Sequence, residues 1–594
     1  MLTNRAMALF VLLVGALSSG CGQRPPAAPS AVAPSSQILI TIEAIAPKRL
    51  APFGETVAMP KWTSVAAAGT TYDDAITTSP VARPALATIL TGVSPDRSGV
   101  RDNIDDAVAD SAATLAEQAR HAGFETVAFV STPFASYSSG LQRGFDLFDG
   151  PEESVIGPSQ YRPPLTFADE LAGRVTRWLA SHTKGKPVFV WIHLADLNGL
   201  ATPPPGSAGS SVWKSGDPFE DYDKALGPLD HAIGTITDAL RHDPATGDAG
   251  LTIVGTHGVY LGGEGPRGDA FWLADETLRI PLVRVAHLSD PANAAPRHDS
   301  RPTWLPDVAA SLARAFGGKL PSNSDGIPLE DAPPPGRARL AWAFAPDDQL
   351  AWPPLTAVKE GESLSVFSAS KDGKLSPVGP VTATASSAAA ARPALPRKRI
   401  LTESMRSAAL KAGVKLGSEP TTPTPPNGAD VWLRDLQVAR GFLAWHRTGL
   451  AARAALRLLK ADPSSLAALQ LRLYILSRSP SEELTEIRDR LLALYPDRSD
   501  ALHWAAHVYL LNPDYVRAAA LLDAAIAVGP VEPEIYYDRA CVHVLAGETK
   551  PAFAMLDKAF KVGYRNWDWL DRDPDLAAIR TSPEFLELLR THGR

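Results

Sequence analysis

From residue 38 onward, short apolar runs alternate with longer amphipathic stretches. Residues 38–42, 126–130, 188–192 and 251–254 are almost continuously apolar, the pattern of strands buried on both faces. Between them, residues 110–122, 167–182 and 222–241 repeat apolar positions every three to four residues and predict helices. Strand and helix in alternation predict an α/β fold, a mixed, mostly parallel sheet sandwiched by helices over residues 38–367. Chemistry on such a sheet is expected in the loops at the carboxyl ends of its strands.

The pattern changes twice more. Residues 331–337 form a proline-rich turn and residues 341–367 read as closing strands. Residues 368–430 are rich in Ala, Ser and Pro and read as a linker with one helix at 402–412, in which Arg397, Lys398 and Arg399 are expected to be solvated rather than to touch anionic lipid. From residue 431 to 594 the chain is helical and repetitive. Pro463, Pro496 and Pro530 are spaced by 33 and 34 residues, and the segment 523–530 recurs as 557–564. That period resembles tetratricopeptide repeats, helix pairs that must stack to bury their faces, and predicts an all-α solenoid. About four units fit, with residues 571–594 as a closing helix and Trp567 and Trp569 as packing of the cap. Such arrays offer a groove to a peptide or helix of a partner; packing on the chain's own α/β domain, or self-association, is the alternative.

Composition narrows the function. With 58 Lys and Arg against 65 Asp and Glu, the formal charge of −7 argues against a nucleic-acid partner. The 53 prolines fit linkers and proline-broken loops. Two cysteines, Cys21 and Cys541, exclude a disulfide framework and a cysteine-rich zinc module. Residues 1–20 carry Arg5 and then an apolar run at 6–17, which as a helix spans only ~18 Å against the ~30 Å of a bilayer, so an export signal is expected. Leu17-Ser18-Ser19-Gly20-Cys21 resembles a bacterial lipoprotein cleavage box. The resemblance implies removal of 1–20, acylation of Cys21 and membrane anchoring, with residues 21–37 as a Pro/Ala tether. Gly22, by the same analogy, implies the outer membrane, facing the periplasm or the cell surface.

Several segments of the α/β region, in order, resemble the sulfatases of the alkaline phosphatase superfamily. They are the strand Ile40-Thr41-Ile42-Glu43, residues 78–92 from Thr78-Ser79-Pro80 to Leu90-Thr91-Gly92, residues 99–103, residues 128–132, Gly144-Phe145-Asp146, Trp191-Ile192-His193-Leu194-Ala195-Asp196, Thr256-His257-Gly258 and residues 278–282. The resemblance implies a nucleophile held beside Ca²⁺ or another divalent cation. It also shows what this chain lacks. Ala82 stands at the nucleophile position and cannot attack, and Leu86 stands where the cysteine-type motif has arginine. Glu43 replaces a first-strand aspartate, with Ala44 beside it, and Lys48 falls at the second carboxylate position. Thr256 replaces the aspartate before His257, and Asp196-Leu197-Asn198 replaces Asp-Pro-His, so Asn198 stands at the substrate histidine. Downstream, Asp269 is present without the expected lysine or histidine.

No metal cofactor is therefore expected, and Ser79 and Thr78 lie three and four residues from the nucleophile position, too far to substitute. His257 reads as a structural histidine, and Asp196 and Arg279 as architectural residues. Glu43, Lys48 and Arg83 are expected to form an internal salt bridge in the emptied site, with an anionic ligand as the alternative. Three functions follow. The favoured one is a non-catalytic envelope lipoprotein, a scaffold or partner-binding subunit acting through its repeats. The others are an active sulfuric or phosphoric ester hydrolase or transferase, and an anionic-glycan-binding protein using the remnant cleft.

Overall fold

The computed structural model describes residues 35–54, 57–103, 106–135, 139–150, 166–182, 185–197, 218–260, 271–290, 297–421, 423, 425, 429–444, 447–477, 481–529, 532–562, 564 and 566–592. Cys21, Asn198 and Asp269 lie outside them.

The α/β part contains, among the described residues, the strands β1 Gln37–Ile42, β2 Thr70–Tyr72, β3 Ala75–Ile76, β4 Glu125–Val130, β5 Leu147–Asp149, β6 Val188–Leu194, β7 Gly250–Gly255, β8 Leu282–Val285, β9 Arg297–Asp299, β10 Thr303–Trp304, β11 Arg339–Ala343, β12 Leu355–Glu360, β13 Ser363–Ala369 and β14 Leu375–Pro377. Eight of them form the central sheet in the order β5-β4-β6-β1-β7-β8-β2-β9, parallel except where β8 meets β7 and β2. Because side chains alternate across a strand, β1 sorts its residues between two cores. Ile38, Ile40 and Ile42 face one, beneath helices Ala168–Ser181 and Pro218–His242. Leu39 faces the other, beneath helices Ala82–Thr91, Leu115–His121 and Pro306–Ala315.

The helix expected at 110–122 starts later, at Leu115, because Thr114 and Glu117 close a capping box there: the Thr114 hydroxyl accepts from the Glu117 N–H, and the Glu117 carboxylate accepts from the Thr114 N–H at 2.8 Å. The linker reading of 368–430 is also corrected. β13 runs to Ala369, β14 pairs with it, and helix Ala383–Ala391 packs on β12 and buries Ala385 and Ala389 against Trp304 and Trp342. A small residue every fourth position lets that helix approach closely, a packing role that composition alone reads as low complexity. Arg397 and Arg399 are partly buried in ion pairs rather than solvated: Arg397 with Asp106 at 2.9 Å, and Arg399 with Asp347 at 3.3 Å. The helix expected at 402–412 is Glu403–Lys411, capped by the Thr402 hydroxyl.

The carboxyl-terminal region is all helical. Helices Ala429–Ala444 and Thr448–Ala461, Leu466–Leu476 and Glu482–Leu494, Ser499–Leu511 and Tyr515–Val528, and Pro533–Leu545 and Thr549–Lys561 pack as successive pairs. Their starts are set locally by Ser465, Ser481 and Asp514, whose side chains accept from backbone N–H groups, and by Pro533 at the first helical position. The closing helix expected at 571–594 is instead helix Trp567–Arg572, a short turn at Pro574–Leu576 and helix Pro583–Thr591. Trp567 packs on Phe560, as a cap residue should, whereas Trp569 is 45% exposed.

Candidate active site

The parallel ladder aligns Thr41 of β1 with His193 of β6 on one side and Val254 of β7 on the other. Two residues beyond Thr41, on the same face, comes Glu43, and two beyond Val254 comes Thr256. The strand ends stay tied there: Glu43 N–H donates to Leu194 O at 2.9 Å, Thr256 N–H to Ile42 O at 2.9 Å, and Ile45 N–H to His257 O at 3.1 Å. Glu43, Thr256, His257 and His193 are thus gathered at the carboxyl ends of three adjacent strands.

Over this end lies the segment that leads into helix Ala82–Thr91. The Thr77 hydroxyl donates to Thr256 O at 2.5 Å, and Trp342 N–H of β11 donates to Thr78 O at 2.9 Å, so both sheets fix it. Ala82 is the first residue of the helix and is buried. The hydroxyls nearest to it in sequence are committed: Thr78 Oγ1 is 3.0 Å from Thr88 Oγ1, and Ser79 Oγ accepts from Val81 N–H at 3.3 Å. Asn103 caps the helix by accepting from Arg83 N–H at 2.8 Å.

The expected salt bridge of Glu43, Lys48 and Arg83 is not what forms. Lys48 is on the surface, its side chain 73% exposed and its Nζ 3.2 Å from Glu276. The Arg83 guanidinium turns to the backbone carbonyls of Phe134 and Asp106, each at 2.8 Å. Glu43 instead pairs with His193, Oε1 to Nε2 at 2.8 Å, with both side chains fully buried. The reason is register: the side chains of β1 and β6 that share a face are placed by the ladder, while Lys48 lies in a turn that carries it outward.

A directed chain of hydrogen bonds ends on that pair. Trp191 Nε1–H, which can only donate, gives to Thr41 Oγ1 at 2.9 Å. With Thr41 assigned as the donor to His193 Nδ1, 2.8 Å away, the ring proton falls on Nε2, 2.8 Å from Glu43 Oε1. The sequence reading missed the role of His193. Its signal was present: Thr41 and Glu43 are polar residues two apart on a strand otherwise apolar, and His193 stands in the same register on β6.

His257 is 3% exposed and its Nδ1–H donates to Gly258 O at 2.9 Å. Gly258 is required there, since a Cβ would lie 2.0 Å from Glu276 O. Asp196 accepts from Ala168 N–H at the start of helix Ala168–Ser181, while its Oδ2 has no hydrogen-bond partner among the described residues. Burial pushes its carboxyl up to about 6. Arg279 bridges to Glu362 at 2.6 Å and Asp74 at 3.7 Å.

The family's divalent cation would require several oxygens around Glu43. Among the described residues the donor set does not fit it: the Glu43 carboxylate is engaged by an imidazole, Thr256 offers a neutral hydroxyl and Lys48 is elsewhere. Among the described residues, no group of three or more His, Cys, Asp and Glu side chains could hold a metal.

The helical region reaches the α/β part next to Ala82. Val81, next to Ala82, shares one apolar cluster with Phe271, Trp352, and Trp432, Leu433 and Leu436 of helix Ala429–Ala444.

With this geometry, the chain can be compared with known proteins. Residues 37–318 match the sulfatase family model. Similar solved structures include the phosphonate monoester hydrolase of Agrobacterium radiobacter, at 18% identity over 58% of this chain and 88% of that one, with a TM-score of 0.44. Another is the phosphonate monoester hydrolase from Silicibacter pomeroyi, at 15% identity over 58% and 88%, TM-score 0.45. A third is BT4656, solved with its substrate D-glucosamine-2-N,6-O-disulfate, at 14% identity over 57% and 90%, TM-score 0.46. No curated protein matches the chain.

Proposed function

We propose that this protein is a non-catalytic sulfatase-like envelope lipoprotein that acts as a scaffold or partner-binding subunit. The observation that carries the reading is Ala82: a buried methyl group stands at the first turn of the helix where the family's nucleophile belongs, and the hydroxyls of Thr78 and Ser79 just before it are already bonded. The apolar cluster that Val81, beside Ala82, shares with Trp352 and Trp432 supports it, because it places a hydrophobic core next to the nucleophile position. In this reading the paired helices are tetratricopeptide-type units, Cys21 is the lipid anchor that holds the chain at the outer membrane, and the groove of the array takes a segment of an envelope protein. Fold alone carries no activity when the site residues differ. The test is turnover of aryl sulfate, aryl phosphate and a phosphonate monoester by the purified chain. Rates at the buffer level are expected; a rate that disappears in Glu43→Gln or His257→Ala overturns the proposal.

A further inference from the structure

We propose that the His193 imidazole does for Glu43 what a divalent cation does in an active sulfatase, so that this site is complete without metal. The inference rests on the non-catalytic reading only in taking Glu43 as a former metal position; the geometry that carries it is independent of turnover. A fully buried carboxylate needs a strong partner, because its desolvation costs several kcal/mol. His193 supplies an N–H at 2.8 Å, and neither side chain is accessible to solvent.

The imidazole is itself held from behind. Thr41 fixes Nδ1 and Trp191 fixes Thr41, so the ring presents Nε2 to Glu43 without rotational choice. Three of these four residues lie on neighbouring strands in direct register, Leu39 facing Trp191 and Thr41 facing His193, and Glu43 follows two residues after Thr41. The Trp191 ring lies in turn 5.8 Å from Phe145 and 5.9 Å from His193, centroid to centroid. The device is therefore built across β1 and β6 and into the core beneath them. His193 is a positioning residue: it keeps Glu43 buried and the β1 and β6 ends together.

The experiment is a calcium and manganese titration of the full chain followed by thermal unfolding, with His193→Asn, Glu43→Gln, the double variant and His193→Asp. The wild type is expected to melt at the same temperature with or without millimolar cation. Each of His193→Asn and Glu43→Gln is expected to melt several degrees lower, and the double variant above the sum of the two losses, because removing both partners leaves no unpaired charge. His193→Asp, which sets two carboxylates side by side, is expected to melt lowest without cation and to recover with calcium. A cation-dependent rise in the wild type, decided without any variant, overturns the inference, as does strict additivity of the two single variants. Turnover by a metal-free chain would instead contradict the non-catalytic reading while leaving the Glu43–His193 pairing intact.

Discussion

The indoles of Trp352 and Trp432 stand 5.6 Å apart, centroid to centroid, one from the α/β part of the chain and one from the first helix of the helical region. Both are buried, and Trp432 Nε1–H donates to Leu458 O at 3.3 Å. They join the two regions through one core that also contains Val81.

Removing Trp432 should loosen that junction. Trp432→Ala is expected to cost about 3–5 kcal/mol, the usual range for truncating a buried large aromatic. Differential scanning calorimetry is the check: the variant should show the helical region melting ahead of the α/β part, and an unchanged single transition would argue that the cluster does not couple them.

Polar contacts reinforce the same junction. Arg498 is 5% exposed, donates to Asp347 O at 2.8 Å and to Asp348 O, and pairs with Asp500 at 3.0 Å. Its planar fork reaches two carbonyls and a carboxylate at once, which a lysine cannot do. Arg498→Ala should destabilise by about 3–5 kcal/mol because it leaves Asp500 and the carbonyls without their partner. Arg498→Lys should recover less than half of that loss in the melting temperature; full recovery would show that charge alone is needed.

Stability should fall as the pH rises from about 4 to 8. Burial raises the Asp196 carboxyl to about 6, and burial together with Glu532 raises that of Glu534 to about 8. Each group therefore binds its proton more tightly in the folded chain than in the unfolded one. Its contribution is greatest below the unfolded values near 4 and is lost as the pH passes through the folded ones. The side chain of Asp196 keeps some solvent contact, so Asp196→Asn should stabilise by about 1–2 kcal/mol at pH 7 and flatten the slope between pH 4 and 6. Glu534→Gln should flatten it between pH 5 and 8. Melting temperatures across pH 4 to 8 measure both, and a wild-type curve that rises with pH would contradict the assignment.

Restoring a nucleophile alone should not restore activity. Ala82→Ser places a hydroxyl at the start of the helix, but among the described residues no metal-binding group is there to lower the hydroxyl's pKa or polarise an ester. The expected result is aryl sulfate and aryl phosphate hydrolysis indistinguishable from the parent. A clear gain of turnover would show that the surrounding groups retain more than the geometry assigns to them.

Much of this was legible in the sequence, and the reasons are physical. Apolar runs mark β1, β4, β6 and β7 because strands buried on both faces leave no polar face to confuse them. The proline spacing marks the helix pairs because each pair ends where the next must turn. What escaped depends on neighbours far apart in sequence. Glu43 and His193 are 150 residues apart, and only the ladder between β1 and β6 brings them together. Arg397 and Arg399 looked like a solvated run because their acidic partners come from far upstream: Asp102 and Asp106 from a loop, Asp347 and Asp348 from helix Ala345–Leu350. Strand β14 and helix Ala383–Ala391 were hidden by a composition shared with linkers; the helix is buried against β12 and Trp342.

Metal content of the purified full chain is the most direct test of the account. After exposure to calcium and manganese and passage through gel filtration, elemental analysis should find far less than one divalent cation per chain. One or more tightly held cations per chain, lost in Glu43→Gln, would contradict it.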